Sequence, residues 1–419
     1  DRLRSRGLGD VYKRQILNGS NFGDSKENVK VFFNDKEASV ISVKDDRMLV
    51  LAPKRASTIE DPECVVKVQV HEQIEEYKQT FDYYIQTTVT TLVGGSTSAQ
   101  VNPTGTIPLS EAQFRANIDR CICVDQDKNV FFLVDNDGKF AAFMLNEEAD
   151  KLISLKSDIN ALFNSPVLGY NSKDDIVYQF WANRDSHEVY YFDPKTDYAP
   201  TTAISSISWD DPNFPNIEGF GVWAAKCNFT MGPDGKMYSR MLGGNLVRID
   251  VENARGENLT NGDLVGTKDG SAYGLVFDPQ DENVFYFSNN DKHCIYKYDL
   301  RTKECACWAG QEGKSGYLDG PIGQAMFNKP GQMCVDSEGN IILTDTENHC
   351  IRKITMSTGY VSTLAGKPQN SGYVNGSAED AQFKKPLGIC IDNDDVMYIG
   401  DSETVSYTHL RAHETGAYL

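Results

Sequence analysis

The sequence has little positive charge and no long hydrophobic run. Its 41 lysine and arginine residues are outnumbered by 60 aspartate and glutamate residues, which gives a formal net charge of −19 at pH 7. A nucleic-acid-binding protein needs a basic surface that neutralises phosphates, so this balance argues against nucleic acid as a partner. No apolar stretch approaches the roughly 18 residues that a membrane-spanning helix requires. The sequence therefore predicts no membrane span.

Familiar catalytic and cofactor signatures are also missing. The sequence contains no nucleophile elbow, no phosphate-binding glycine loop and no HExxH zinc motif. Its ten cysteines form no CxxC pair, which is the spacing of many zinc and redox sites. Cys334, Cys350 and Cys390 occupy apolar positions of a repeat, so we interpret them as small buried side chains rather than metal ligands or disulfides. No cofactor is predicted.

One block of sequence is repeated in the second half of the chain. Residues 327–354 contain two apolar runs, 333–335 and 341–343, separated by a turn of Asp, Ser, Glu, Gly and Asn. The block recurs with Phe327 matched by Phe383, so the period is 56 residues. A fixed period made of strands and turns indicates a repeat architecture rather than a single mixed domain.

Weaker copies precede this block. Counting the first strand of each copy gives six copies in all. Residues 89–94 match residues 361–366, which form the last strand of a repeat. Residues 89–94 stand before the first copy and so have no copy of their own to complete. We therefore predict that this strand joins the sixth copy and closes a ring of sheets without open edges. Because the pattern stops after Glu403, the sixth copy is predicted to be truncated. It should then be the least stable part of the ring, since its ladder lacks one strand.

The two ends of the sequence follow no such pattern. Residues 1–15 are basic and lack an apolar core, and residues 405–419 interrupt the sixth copy. We interpret both as non-native sequence and exclude them from the fold prediction. The remaining chain divides into a first domain at residues 16–85 and a repeat domain at residues 86–404.

The first domain reads as a small antiparallel sandwich. Short alternating apolar runs are separated by Gly, Asn and Asp turns at roughly ten-residue spacing, which is typical of immunoglobulin-like folds. The segments at 19–23, 29–33 and 81–84, together with Pro53, resemble an IPT/TIG domain. The resemblance implies an immunoglobulin-like module that supports or binds and is rarely catalytic.

The repeat domain resembles NHL-repeat β-propellers. The match rests on the pattern Pro386-x-Gly388-Ile-x-Ile391-Asp392, on residues 345–354 and on the strand at 361–366. It implies an all-β fold, an immunoglobulin-like sandwich followed by a six-bladed β-propeller. The pair of modules resembles surface proteins of gut Bacteroidetes that lie near glycan-uptake systems. That resemblance implies a non-enzymatic protein of the cell envelope or extracellular surface, with a glycan or protein as ligand.

The long connection at 208–226 is the main candidate for ligand binding. It reads SWDDPNFPNIEGFGVWAAK, and aromatic rings in such a loop can stack on sugar rings or peptide side chains. The candidate site comprises four aromatic residues of this loop and two residues of a loop expected on the same face: Trp209, Phe214, Phe220, Trp223, Trp181 and Arg184. The alternative is that the rings hold the insertion on the propeller as a satellite core.

Three histidines define the alternative function. His187, His293 and His349 occupy equivalent positions of three copies. If they converged, they would form an open zinc site at the channel mouth, and the protein would be a propeller lyase or hydrolase. Some NHL propellers that cleave amidated-peptide precursors use such a metal. Because the histidine belongs to the repeat pattern, we expect each imidazole to hydrogen-bond within its own turn, and we assign no catalytic or metal residue.

Overall fold

The computed structural model describes residues 14–34, 36–51, 63–76, 81–94, 102–114, 121–136, 139–160, 167–180, 189–205, 207–210, 227–241, 244–260, 274–403 and 406–416. Within these ranges the chain forms β-strands and four short 3-10 helices, Lys26–Asn28, Leu109–Glu111, Pro194–Thr196 and Thr346–Asn348. The predicted all-β class is confirmed. None of the described helices is long and apolar enough to cross a membrane. The chain divides into two compact units, residues 1–88 with 411–419 and residues 89–410.

The first unit is built on a six-stranded sheet. The first eight strands of the chain are β1 (Arg14–Asn18), β2 (Val29–Phe33), β3 (Lys36–Lys44), β4 (Arg47–Leu51), β5 (Glu63–Cys64), β6 (Val66–Val70), β7 (Gln73–Glu76) and β8 (Phe81–Gly94). The sheet order is β1-β4-β3-β2-β6-β7, and β5 pairs with β8, which continues into the second unit. Arg14 and Gln15, assigned to the non-native start, pair with Leu51 and Val50 in this sheet.

Alternation of apolar and polar residues explains why this sheet buries one face. Val29, Val31 and Phe33 of β2 are buried, whereas Lys30 between them is exposed. Because successive strand residues point to opposite faces, these three side chains share one side of the sheet. They pack with the other core residues of the unit: Leu17, Ala38, Met48, Val50, Val66 and Val68.

The second unit consists of further antiparallel sheets. The first sheet contains β9 (Thr106–Ile107), β10 (Cys123–Val124), β11 (Val130–Asn136), β12 (Lys139–Asn146) and β13 (Lys151–Asn160). The second, larger sheet contains β14 (Val167–Asn171), β15 (Ile176–Phe180), β16 (Val189–Phe192), β17 (Thr201–Ile204), β18 (Ser208–Trp209), β19 (Phe229–Met231), β20 (Met237–Arg240), β21 (Leu246–Asp250) and β22 (Arg255–Asn258). The larger sheet joins two four-stranded meanders through the parallel pair β14 and β19.

The remaining sheets come from the strong part of the repeat. One sheet contains β23 (Leu275–Phe277), β24 (Val284–Asn289), β25 (Cys294–Asp299) and β26 (Cys305–Gly310). The next contains β27 (Gly320–Pro321), β28 (Pro330–Val335), β29 (Ile341–Asp345), β30 (Cys350–Thr355) and β31 (Tyr360–Ala365). The last contains β32 (Gly376–Ser377), β33 (Pro386–Ile391), β34 (Met397–Asp401) and β35 (Ser406–Gly416). The last sheet also contains β8, in the order β32-β8-β35-β34-β33.

The first strands of the copies form a closed ring. Each of β10, β14, β19, β23, β28 and β33 contacts the next, and β33 contacts β10. They surround a cavity of about 400 Å³. A Cβ atom on Gly274 would lie 2.5 Å from the backbone nitrogen of Met333, so this position needs glycine where two inner strands meet. The number of six blades stays a prediction, which this ring of inner strands supports.

Polar residues of the strong copy hold its own turns together. Arg352 and Asp345 are both fully buried, and their Nη1 and Oδ2 atoms are 2.7 Å apart. The second guanidinium nitrogen of Arg352 lies 2.6 Å from Asp319 Oδ1, and Asn348 donates to Asp345 at 2.9 Å. These side chains thus stabilise the fold of the repeat, to whose pattern they belong.

The prediction that the sixth copy lacks a strand is wrong. The segment 406–416, which falls in the predicted non-native tail, forms β35 and pairs antiparallel with β34, Tyr407 opposite Gly400. Tyr407 and Leu410 are buried in the cores of the unit. The physical reason is that β34 would otherwise present a ladder of unpaired N–H and C=O groups, which any segment able to extend can satisfy. On its other side β35 neighbours β8, the strand predicted to close this copy.

Candidate functional site

Of the six predicted binding residues, the structure describes Trp209. The other five, Trp181, Arg184, Phe214, Phe220 and Trp223, lie outside the described residues. Trp209 begins the predicted binding loop, and its surroundings decide whether this part of the chain can hold a ligand.

Trp209 lies on an edge strand and not in an open loop. Ser208 and Trp209 form β18, which pairs in parallel with Arg255 and Gly256 of β22. The backbone N–H of Ser208 donates to the carbonyl of Ala254 at 2.9 Å, and that of Asp210 donates to the carbonyl of Gly256 at 3.1 Å. This pairing adds a strand to the outer edge of the meander β19–β22 and fixes the direction of the indole.

The indole rests on a glycine. A Cβ atom on Gly256 would lie 2.5 Å from Cε3 of Trp209, which shows how closely the ring covers this backbone. Trp209 is half-buried and packs against the hydrophobic core shared by β14–β16 and β19–β21. One part of the ring is therefore anchored, and the rest borders open space. The anchored part is compatible with the satellite-core alternative, and the open part is compatible with the binding hypothesis.

A cavity of about 770 Å³ lies beside Trp209. Its lining is dominated by charged and polar groups from β18, β21, β22 and the turns next to them: Ser208, Trp209, Asp210, Lys236, Arg248, Asp250, Asn253, Arg255, Gly256 and Glu257. Such a combination of one aromatic surface with many hydrogen-bonding groups suits a polar ligand that also has an apolar face.

Ion pairs organise most of these charges. Lys236 Nζ lies 3.6 Å from Asp250 Oδ2, and Arg248 Nε donates to Glu257 Oε2 at 3.0 Å. Hydrogen bonds from Asn253, assisted by Lys236, hold the pKa of Asp250 below its ordinary value. Burial lowers the pKa of Arg248, but its hydrogen bonds to Tyr238 and Glu257 outweigh that effect and keep the pKa above its ordinary value. Both side chains are therefore charged at neutral pH.

Arg255 differs from the other charged residues of the cavity. It is exposed and lies opposite Ser208 in the β18–β22 pair, and its side chain makes no hydrogen bond or ion pair among the described residues. Its five N–H donors are thus available to a ligand that lies across Trp209. A second cavity of about 380 Å³ shares Arg248 and Glu257 with the first, so the two adjoin and form an extended depression.

Sequence reasoning did not find Lys236, Arg248, Asp250, Arg255 or Glu257. They occupy ordinary positions of strands and turns, and their spacing resembles no binding motif. They meet Trp209 only because β18 pairs with β22 across 46 intervening residues. The only local signal was a tryptophan followed by two aspartates in a long connection.

Two of the repeated histidines accept backbone hydrogen bonds. His293 Nδ1 accepts a hydrogen bond from the backbone N–H of Lys329 at 3.1 Å, and His349 Nδ1 accepts one from Lys385 at 3.2 Å. The prediction of a bond within the histidine's own turn is wrong, because each imidazole reaches the start of the next copy. Burial lowers the pKa of both imidazoles, which favours the neutral acceptor form.

His187, the third histidine of the zinc hypothesis, lies outside the described residues. Within the ranges that the structure does describe, no group of three or more histidine, cysteine, aspartate or glutamate side chains is arranged to hold a metal ion.

Two family models match the chain. The IPT/TIG domain model matches residues 13–83, and the NHL repeat model matches residues 327–354. The chain carries an IPT/TIG domain and an NHL repeat. Both modules expected from the sequence are thus confirmed at these positions.

Solved structures share this fold. A protein of unknown function from Bacteroides thetaiotaomicron superposes with a TM-score of 0.73 at 22% identity, over 95% of this chain and 94% of that one. Auxiliary nutrient binding proteins from B. thetaiotaomicron and Bacteroides ovatus superpose with a TM-score of 0.61, at 19% and 20% identity, over 96% and 95% of this chain. At these identities the likeness establishes the fold, an IPT/TIG domain and a propeller-like unit.

A curated relative matches part of the chain. Protein SUPPRESSOR OF QUENCHING 1, chloroplastic, from Arabidopsis thaliana is 24% identical over 282 residues, which is 62% of this chain and 26% of that protein. The chain thus spans about a quarter of the length of this relative.

Proposed function

We propose that this is a non-enzymatic binding protein of the cell envelope that holds a glycan beside Trp209. The role of a binding protein is supported by the auxiliary nutrient binding proteins of Bacteroides that share its fold. A location at the envelope or cell surface is part of the same proposal and rests on the same relatives. A protein segment is the alternative ligand.

The observation that carries the proposal is the position of Trp209. Its indole is held on Gly256 and borders a cavity of about 770 Å³. An aromatic ring that is fixed before binding loses little conformational entropy when a ligand stacks on it. The flat apolar face of a sugar ring fits such a surface, because its C–H groups cover the ring while its hydroxyls point sideways.

The charged rim supplies partners for those hydroxyls. Lys236, Asp250, Asn253 and Arg255 lie around the aromatic surface and offer both donors and acceptors. Hydrogen bonds to charged groups are about twice as strong as those between neutral groups. The adjoining cavity of about 380 Å³ gives room for a further sugar unit along the same edge. We include Trp181, Arg184, Phe214, Phe220 and Trp223 in the proposed site.

A glycan-array screen of the full chain, followed by calorimetric titration with the glycans found, tests the proposal. Trp209→Ala should weaken binding at least tenfold, since removal of a central aromatic contact typically costs about 2 kcal/mol or more. Tyr373→Ala is the matched control, because Tyr373 is an aromatic residue that is 40% exposed and lies away from the cavity. The control should bind like the original protein.

Two results would overturn the proposal. One is binding of a glycan with equal affinity by the Trp209→Ala variant. The other is conversion of the bound glycan to shorter products, which would show a lyase or hydrolase instead. Binding of peptides but not glycans, with the same dependence on Trp209, would keep the site and replace the ligand class.

A further inference from the structure

The cavity at the ring centre is separate from the site at Trp209. All six inner strands, β10, β14, β19, β23, β28 and β33, contribute to its lining, and its volume is about 400 Å³. That volume lies within the roughly 300–1,000 Å³ of typical small-molecule sites. No residue of this lining borders the cavity beside Trp209.

The polar side chains of this lining are already satisfied by the protein. Gln332 Oε1 accepts from the backbone N–H of Ile122 at 3.1 Å and of Ile389 at 3.3 Å, and its Nε2 donates to the carbonyl of Ile122 at 2.8 Å. Asn228 donates to Thr230 Oγ1 at 2.9 Å and accepts from the backbone of Leu275 at 3.0 Å. Both amide oxygens and one N–H of each amide are thus engaged within the protein.

The same holds at the end of the lining where strands turn. Asp278 accepts from Tyr286 Oη at 2.7 Å and from the backbone N–H of Gln280 at 2.8 Å. Tyr170 donates its hydroxyl to Asp175 at 2.8 Å. A polar ligand would have to compete with these bonds, whereas an apolar ligand would leave them intact.

Three thiols face one another within this lining. Cys123, Cys334 and Cys390 stand at the same position of three neighbouring inner strands, each two residues before an aspartate. Burial raises the pKa of each of them, so all three are neutral thiols. A neutral thiol behaves as a small, polarisable, hydrophobic group. This part of the lining therefore carries no charge.

Half-buried apolar side chains also line the cavity. They are Tyr170, Met231, Phe277, Val335 and Ile391, one from each of five inner strands. Burying such surface is worth about 25 cal/mol per Å², so a ligand that covers them gains free energy without forming a single polar contact.

We propose that the ring centre is a second binding site, which takes an uncharged, largely apolar small molecule. Its affinity would come from contacts with the five apolar side chains and the three thiols. The amides and carboxylates already bond within the protein, which favours such a molecule over ligands that need strong hydrogen bonds. This site is independent of the glycan site, so either can exist without the other.

Titration of the full chain with N-phenyl-1-naphthylamine tests the proposal, because this uncharged dye fluoresces in apolar surroundings. We expect a saturable increase with one dye per chain. Val335→Trp should fill the cavity and weaken binding at least tenfold. Val374→Trp is the matched control, since Val374 is 45% exposed and lies outside the lining. Trp209→Ala should leave dye binding unchanged.

A second measurement needs no variant and so does not depend on the folding of one. Saturating dye should slow the reaction of Cys123, Cys334 and Cys390 with N-ethylmaleimide, followed residue by residue by mass spectrometry. Cys307, which is half-buried and outside the lining, should react at an unchanged rate. The proposal is overturned if binding does not saturate, if Trp209→Ala abolishes it, or if dye binds without protecting the three thiols.

Discussion

At the scale of single residues, the site depends on a residue with no side chain. Gly256 lies under the indole of Trp209, and both are held by the pairing of β18 with β22. The glycine is required by close approach and not by backbone conformation. The repeat supplies many glycines for turns, so nothing in the sequence marks this one as part of a site.

Gly256→Ala should therefore act on binding more than on folding. The new methyl group would stand 2.5 Å from the indole carbon and force the ring out of its place. We expect glycan affinity to fall at least fivefold and stability to fall by about 1–2 kcal/mol, as for overpacking elsewhere. Glycan titration and urea denaturation measure the two effects.

Gly323→Ala is the control for this substitution. A Cβ atom at Gly323 would meet no atom within 4 Å, so the variant should keep both affinity and stability. Equal glycan affinity of Gly256→Ala and the original protein would contradict the proposed role of the indole position.

At the scale of strands, Gln332 closes the ring of inner strands. It stands on β28, yet its side chain bonds the backbone of Ile122 beside β10 and of Ile389 on β33. In the last strong copy the matching residue is Gly388, where an added Cβ would come within 3.3 Å of Ile122. One copy thus supplies a long amide, and its neighbour leaves room for it.

Gln332→Leu should destabilise the ring although it removes no apolar contact. It leaves two buried N–H groups and one carbonyl without a partner, and each unsatisfied group costs about 1–3 kcal/mol. We expect a loss of at least about 3 kcal/mol in urea denaturation, the lower end of the sum for three such groups.

Gln311→Leu serves as the comparison, since Gln311 makes an exposed hydrogen bond to the carbonyl of Gln324 at 3.2 Å. Exposed substitutions of this kind change stability by about 0.5 kcal/mol or less. If the two variants unfold at the same urea concentration, Gln332 does not close the ring.

At the scale of the whole molecule, the copies are joined by bonds that depend on pH. His293 and His349 accept backbone hydrogen bonds from the next copy through Nδ1, and protonation removes that acceptor. Both pKa values lie below the ordinary 6.5, chiefly through burial. The unfolded chain therefore takes up protons first as the pH falls, and it is stabilised relative to the folded protein.

Stability should accordingly be complete above pH 6.5 and decline as the pH falls through that value toward the lowered folded pKa values. Each hydrogen bond is worth about 1 kcal/mol, which sets the size of the loss. Urea denaturation between pH 8 and pH 5 measures it.

The double variant His293→Asn/His349→Asn provides the comparison. An asparagine oxygen can take the place of Nδ1 and accept the same bond, and asparagine tolerates the positive φ of 54° and 57° found here. The decline below pH 6.5 should shrink in the variant, whereas carboxylates contribute equally to both proteins. An unchanged decline would show that these histidines do not couple the copies.

Much of this architecture could be read from local patterns. Alternating apolar residues predict strands, because one face of a sheet must be buried, and Asp and Gly at fixed positions predict the turns between them. The 56-residue period predicts repetition of one supersecondary unit. Such features depend on neighbours in the chain, so the sequence alone determined the all-β class and the two modules.

What depends on distant partners was decided only by the tertiary structure. The parallel pairing of β18 with β22 brings Trp209 to Arg255, and closure of the ring brings Gln332 to Ile122. A strand also formed from residues 406–416, where the repeat pattern predicted a gap. In each case unpaired backbone groups found a hydrogen-bonding partner that is distant in the sequence. Which partner reaches them depends on the geometry of the fold rather than on a local motif.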